Sequence, residues 1–288
     1  MLKINIPEEL NVYLEATFSF TFSKRKYISM FGIAKDQLEA TFSLFPIRDY
    51  GKSRQKIYLK YFLWYLYFLR NYSDWEVCAV QFREPESTYR IAVKKMVNVV
   101  KGLDIIGWED RLFCTPLELD DMVIYTATDT TDVPVNFYTS WGVKRSAVWS
   151  TKNHQYSVKF EVASDLDGNI VWVYGPFFHS YADITIFRNS LEQNFLANEA
   201  TLGDKAYIGS SHTVCPYKKE NKGPELSNQQ VLYNNYHSSF RAIIENVNAT
   251  LKQWGILRGY RGVDLGFLAE SFLFICNMIQ LKKNNFQD

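Results

Sequence analysis

Three acids in this sequence fall where a fold could bring them to one place: Asp129, Asp204 and Glu245. Asp129 closes Met122–Thr128 (MVIYTAT), a continuous apolar and β-branched run that suits a buried strand. Asp204 follows Gly203 after a second short apolar approach, Glu199–Leu202. Glu245 sits mid-way along an amphipathic stretch, Ser239–Leu257, whose apolar stripe is Phe240, Ile243, Ile244, Val247, Leu251 and Trp254. Open α/β sheets build their sites outside strand ends, where the backbone is free to present side chains. Mg²⁺ and Mn²⁺ prefer hard oxygen ligands, so converging carboxylates would make a divalent-metal site fit for phosphodiester chemistry. Arg241, Glu245, Asn248 and Lys252 form a polar stripe beside the apolar one, at i, i+4, i+7 and i+11. Arg241, one turn before Glu245, would keep that carboxylate charged and oriented, and Lys252 could meet a phosphate. An ordinary solvated helix face gives the same spacing, so the stripe alone does not decide.

The other acids read more simply. Asp183 opens a helix and reads as an N-cap. Asp132 is a rival to Asp129 but is expected beyond the strand end. Asp165 and Asp167, in DLDGN, read as turn formers, with Gly168 where a positive φ is needed. His154, His179, His212 and His237 show no metal-ligand spacing and read as loop or surface residues. Lys205, Lys218, Lys219 and Lys222 form a local basic cluster after the second acid, either a solvated loop or a contact for phosphates. Trp141 and Trp149, between the first strand and the hairpin, are either core or stacking partners for bases.

The elements that must position these residues follow from periodicity. Tyr58–Arg70 is the first strong helix. Ser73 and Glu76 have the spacing of a capping box opening a second, short helix. Ser87 can cap a third, with Tyr89, Val93, Met96, Val97 and Val100 on one face and Arg90, Lys94, Lys95 and Lys101 away from it. A helix, a short turn and a basic helix outline a helix-turn-helix, about residues 58–101, and a plain three-helix bundle gives the same pattern. Ser157–Ala163 alternates, with Val158, Phe160 and Val162 on one side and Lys159 and Glu161 on the other. Ile170–Tyr174 is its return strand. A helix over Asp183–Leu196, a short strand at Thr213–Tyr217, a surface loop over Lys218–Asn235 and a last apolar helix, Phe267–Leu281, complete the chain.

Composition sets outer bounds. The chain has 288 residues, 47% hydrophobic and 16% aromatic, enough for a substantial core. Its net charge of +1 excludes a charge-driven disordered tail and gives no global basic signal for nucleic acid, so any polyanion site must be local. Cys78, Cys114, Cys215 and Cys276 form no CxxC pair, which argues against structural zinc or a disulfide framework and for reduced thiols. No signal peptide is visible. Ile57–Leu69, interrupted by Lys60 and ended by Arg70, is too short for a membrane span of ~20 residues, and no membrane association is expected. From Asp120 onward the order is strand, two-stranded hairpin, helix, strand, loop, helix. That is the order of an RNase H-like α/β core, a mixed sheet flanked by helices. The expected division is residues 1–119, helical with the helix-turn-helix, and residues 120–288, the RNase H-like core.

Four segments in that order resemble the DDE nuclease domain of PIF/Harbinger-type transposases and their bacterial insertion-sequence relatives. They are Asp129-Thr-Thr-Asp-Val-Pro-Val135; Tyr174–Ser190 (YGPFFHSYADITIFRNS); Gly203-Asp-Lys-Ala-Tyr207 with Pro216-Tyr-Lys-Lys219; and Arg241-Ala-Ile-Ile-Glu245 with Lys252 beyond. The upstream LRNYSDWEVCAVQF…STYRIAV is similar to the helix-turn-helix preceding these nucleases. The resemblance implies a cut-and-paste DNA transposase in which Asp129, Asp204 and Glu245 hold two Mg²⁺ or Mn²⁺ ions. It implies double-stranded DNA as substrate, a Myb-like DNA-binding partner protein and, in a eukaryote, a nuclear location. A homodimer is a further expectation. Lys205, Lys218, Lys219, Arg241, Lys252, Arg90 and Lys94 are the expected DNA contacts. Two departures stand out: Thr130 and Ala206 replace glycines of the family pattern. If those positions required positive φ, each would cost ~1–3 kcal/mol. The alternative is therefore a domesticated, DNA-binding descendant without nuclease activity.

Overall fold

The computed structural model of the chain describes residues 5–18, 22–45, 52–219 and 223–284, so Lys222 lies outside the described residues. Contacts divide it into two units. One comprises Met1–Ile105, Lys252–Arg258 and Asp264–Asp288, the other Ile106–Leu251 and Gly259–Val263.

The first unit is helical: α1 (Ile6–Phe18), α2 (Lys24–Phe31), α3 (Lys35–Leu44), α4 (Lys52–Asn71), α5 (Trp75–Gln81) and α6 (Glu86–Val100), joined by the final helix Leu265–Asn284. From Phe62 to Leu66 every residue of α4 is buried, so this turn of the helix is enclosed on all sides. Trp64 meets Tyr89 of α6 at 5.2 Å between centroids, and Phe68 stacks on Trp75 of α5 at 4.0 Å. The expected face of α6 is buried as read, with Ala92 added, and Arg90 and Lys94 are exposed. The expected caps do not form. The second helix starts after Asp74 rather than Ser73, and the third starts behind Pro85, which leaves Ser87 inside its first turn. The final helix is long and apolar enough to cross a membrane. Its apolarity is accounted for by packing: Leu268, Phe272, Ile275 and Cys276 are fully buried, and Phe274 contacts Phe62 and Tyr65 at 6.2 and 5.3 Å.

The second unit is built on a mixed sheet. Its strands are β1 (Leu117–Leu119), β2 (Met122–Pro134), β3 (Trp149–Ser150), β4 (Gln155–Asp165), β5 (Ile170–Phe178), β6 (Glu199–Leu202) and β7 (Thr213–Val214). β5, β4 and β2 are antiparallel neighbours, and β6 and β7 continue from β2 in parallel. Among the described residues the unit has the helices α7 (Arg145–Val148), α8 (Asp183–Asn189) and α9 (Asn228–Leu251). α8 leads from β5 toward β6 and is followed by a 3₁₀ turn at Leu191–Asn194, so the expected single helix to Leu196 is broken at Ser190. α9 packs on β2, β4 and β6. It begins inside the segment expected to be loop and ends at Leu251, before the expected Leu257.

β4 is buried along most of its length on both faces. Its alternation is real, but the polar side does not face water. Lys159 and Glu161 face α8, bonding Asp183 and Ser190, while Val158, Phe160 and Val162 occupy the other face. The Asp165–Asn169 turn forms as read. Asp165 Oδ1 accepts from the backbone N–H groups of Asp167 and Asn169, and Gly168 has φ 82°. The division between units departs from the expected 119/120 boundary in three places, one of them the Lys252–Arg258 segment of the first unit. The final helix joins the first unit through the apolar contacts above. Ile106–Leu119 joins the second, where β1 pairs with β2 and Arg111 makes a bidentate pair with Glu199 at 2.6 and 2.9 Å, both side chains buried.

Candidate active site

Asp129 does not end its strand. β2 runs on to Pro134 because β4 keeps pairing with it as far as Ser157. The register decides which way each side chain points. Asp129 lies opposite Val162, and Thr130 opposite Glu161. Directly opposed residues share a face, so Thr130 joins Glu161 on the α8 side and Asp129 looks the other way, toward α9. The contacts agree. Asp129 Oδ2 accepts from Asn248 Nδ2 at 3.0 Å and lies 3.9 Å from Arg241 Nη2, both on α9. Asp129 Oδ1 accepts from the Thr130 N–H at 3.0 Å.

Asp204 arrives beside it through β6. Ala127 is paired with Leu202 in the parallel β2–β6 ladder. Asp204 lies two residues past the end of β6, near enough for its carboxylate to push the Asp129 pKa up. Asp204 caps a 3₁₀ turn, its Oδ1 accepting from the Ala206 N–H at 2.7 Å. Gly203 makes the approach possible, since a Cβ there would stand 2.8 Å from the Cβ of buried Tyr207. Glu245 lies on the same face of α9 as Arg241 and Asn248, which it separates by about one turn each way. Its side chain is 62% exposed, 3.8 Å from Arg241. Among the described residues, no three His, Cys, Asp or Glu side chains are gathered so as to hold a metal ion.

The electrostatics mark Asp129. Burial is the largest effect and pushes its carboxyl up to about 6. Arg241 opposes that shift, while the Asp204 and Asp183 carboxylates add to it. Two polar atoms here are buried without a protein partner, Arg241 Nε and Asn248 Oδ1. A spare donor and a spare acceptor thus flank Asp129.

Asp183 is not the expected N-cap. Ala182 holds that position, and Asp183 Oδ1 accepts instead from Thr130 Oγ1 and Lys159 Nζ, each at 2.8 Å. Asp132 lies within β2 rather than beyond it, bonded to Asn153, with His179 Nδ1 3.2 Å away. His237 is a buried residue of α9, not a surface one. Its Nε2–H donates to the Val214 carbonyl at 2.9 Å, and burial lowers its pKa. Lys205, Lys218 and Lys219 are exposed, and Lys219 pairs with Glu225. Lys252 is exposed just past α9 and belongs to the first unit, as do Arg90 and Lys94. Neither Thr130 nor Ala206 has a positive φ, so the two departures from glycine carry no backbone strain.

Three features have no clear sequence signal. Lys159 and Glu161 look like the solvent side of an alternating strand until α8 covers them. Burial raises Glu161 to about 7, against the lowering bonds of Ser190 and Trp172. Arg111 and Glu199 are far apart in sequence and meet only through the sheet.

A mixed α/β sheet that sets Asp129 within reach of the Asp204 charge, beside a helix bearing an Arg, a Glu and an Asn, defines a candidate nuclease. The family described as DDE superfamily endonuclease matches residues 128–280, more than half of the chain, and the chain belongs to that family. Over 112 residues, 38% of this chain, it is 30% identical to the putative transposase for insertion sequence element IS112 of Streptomyces albus G. The match covers 43% of that protein, less than half its length. No solved structure matches the chain.

Proposed function

We propose that this chain is a DDE transposase that cuts and rejoins DNA ends, with Asp129, Asp204 and Glu245 as its catalytic, metal-holding acids. The observation that supports the reading is that Asp204, two residues past the end of the parallel neighbour of β2, acts electrostatically on Asp129, which is itself bonded to Asn248 of the helix that bears Glu245. The sheet order β5-β4-β2-β6-β7 supports an RNase H-like core. The donor chemistry at Asp129 suits Mg²⁺ or Mn²⁺, with carboxylate oxygens, crowding between acids that a cation would relieve and the orphaned Asn248 Oδ1, and Glu245 would have to turn in from its exposed position to complete the set. When bound, two such ions supply an activated water or 3′-hydroxyl and charge stabilisation at the leaving oxygen.

The chain's own residues do the rest. Asn248 and the Thr130 amide fix the Asp129 carboxylate through one hydrogen bond to each oxygen. Arg241 favours the charged form of Asp129, and its buried Nε has no hydrogen-bond partner among the described residues. The Thr130–Asp183–Lys159 cluster, on the opposite face, braces β2 against α8.

The finer identity follows the motifs: a PIF/Harbinger-type enzyme acting on double-stranded element ends and target DNA. Lys205, Lys218, Lys219, Arg241 and Lys252 serve as phosphate contacts, and α5 and α6 as a helix-turn-helix presenting Arg90 and Lys94. A Myb-like partner, a homodimer and, in a eukaryote, a nuclear location belong to the same reading.

The test is nicking of supercoiled plasmid with Mn²⁺. Wild type should nick, and Asp204→Asn should abolish cleavage while leaving DNA binding intact or stronger. Cleavage by that variant removes the assignment. A second reading, a DNA-binding descendant that no longer cuts, is favoured by the exposure of Glu245. It predicts binding without nicking by the wild type.

A further inference from the structure

Past the end of β2 the second unit holds an aromatic pocket that the acids do not use. It is an open depression of about 440 Å³ lined by Asn136, Phe137, Tyr138, Arg145 and Tyr156. The Phe137 and Tyr156 ring centroids are 5.5 Å apart, and Trp141 stands 6.2 Å from Phe137. These groups are half-buried, not core. Several are tied from behind to one returning segment. The Tyr138 hydroxyl donates to the Arg261 carbonyl, Trp141 Nε1–H to the Val263 carbonyl at 2.7 Å, and the Asn136 N–H to the Tyr260 carbonyl at 3.1 Å. With these polar ends satisfied inside the protein, the lining offers mainly π surface. Its one charged group is Arg145, whose guanidinium lies 5.6 Å from the Phe137 centroid. Among the described residues no carboxylate lines the pocket, and Lys144 and Lys152, close in sequence, are exposed.

We propose that this pocket holds an unpaired nucleobase of a DNA strand, stacked on Phe137 and Tyr156, with the adjoining phosphate on Arg145. Every base has a π-face, so aromatic rings beside a fixed cation take single-stranded nucleotides without reading sequence. Asn136 adds an amide that can donate to or accept from a base edge. The position suits a strand already engaged at the acids. Pro134 lies five residues along β2 from Asp129, roughly 16 Å at ~3.3 Å per residue. That is about five steps of duplex at ~3.4 Å each. The pocket therefore holds a base some steps away from the scissile phosphate. The proposal rests on the DNA-processing reading above and adds to it a place for a displaced base.

The experiment compares a short oligothymidylate with the same strand made abasic, identical in phosphates but lacking bases, together with thymidine 5′-monophosphate. Full-length protein is titrated with each, in the Asp204→Asn background so that nothing is cut. The oligothymidylate should bind about fivefold or more tighter than the abasic strand, and the mononucleotide far more weakly than either. Phe137→Leu should erase the difference between the strands. Arg145→Ala, at an exposed position that leaves folding intact, should weaken both strands alike. Thermal melting checks Phe137→Leu, and Tyr156→Leu replaces it if that variant does not fold. Equal binding of the two strands overturns the inference, as does a base preference that survives both ring substitutions or a mononucleotide held as tightly as the strand. If wild type nicks plasmid yet shows no base preference, only this inference falls. A base preference in a chain that never nicks sustains the pocket and sinks the cleavage reading. Binding of neither strand overturns the inference.

Discussion

Asp129 is where the sequence, the sheet and the chemistry meet, and it is held there against its own solvation. Its carboxyl ionises at about 6 rather than 3.8, with burial the largest cause. A folded chain that binds this proton more tightly than the unfolded chain is most stable where the proton is present. That stability is complete below about 3.8 and is lost as pH rises through about 6. The charged form then costs folding on the order of 3 kcal/mol. Asparagine keeps the shape and an acceptor but never ionises. Asp129→Asn should therefore stabilise the metal-free protein by on the order of 2 kcal/mol at pH 8, a rise of several degrees in Tm, and by nothing at pH 4. Melting curves at the two pH values check this. An Asn variant no more stable than wild type at pH 8 would mean that Arg241 and Asn248 already compensate the charge in full.

At the scale of elements, the strand that holds Thr130 and the turn that holds Ala206 explain why two departures from glycine are harmless. Thr130 is inside a regular strand and donates to Asp183. Ala206 is inside a 3₁₀ turn and donates its N–H to Asp204. Neither needs a left-handed backbone. Restoring glycine relieves no strain and adds unfolded-state entropy. Thr130→Gly and Ala206→Gly should each lower stability by roughly 0.5–1 kcal/mol, more for Thr130, and raise no nicking activity. Urea melts and the plasmid assay report both quantities. Gly203 is the glycine that matters, because Tyr207 occupies the space a side chain would fill. The same scale shows what a sequence reveals. The hairpin, β6 and the buried face of α6 were legible because periodicity and turn chemistry act over a few residues. The local settings of Asp129 and Asp204, a strand and the turn after a short strand, were legible through the residues around them, while the exposure of Glu245 was not. The full length of β2, the face it gives Asp129 and the burial of Lys159 and Glu161 were not, since each depends on pairing with β4 or cover from α8. The caps at Ser73 and Ser87 failed for a simpler reason: Asp74 and Pro85 offered alternative starts one or two residues away.

At the scale of the whole molecule, the final helix decides between two partitions of the chain. The family match runs to residue 280, well into that helix, and the sequence places it in the nuclease half. Its contacts place it in the helical unit, against α3, α4 and α6. Removing everything after Asp264 distinguishes the two. Leu268, Phe272, Ile275, Cys276 and Met278 are each at most 1% exposed. At ~1.5–3 kcal/mol for each large side chain, their loss is on the order of 10 kcal/mol, comparable to the entire stability of a domain. The truncated chain should lose its helical unit, so amides of α4 and α6 should exchange with solvent orders of magnitude faster. Amides of β2 and β4 should keep their protection, because their partners all lie in the other unit. Hydrogen exchange read by mass spectrometry resolves the two sets. The opposite result, a protected α4 and an unprotected β2, would return the helix to the nuclease half and restore the boundary at 119/120.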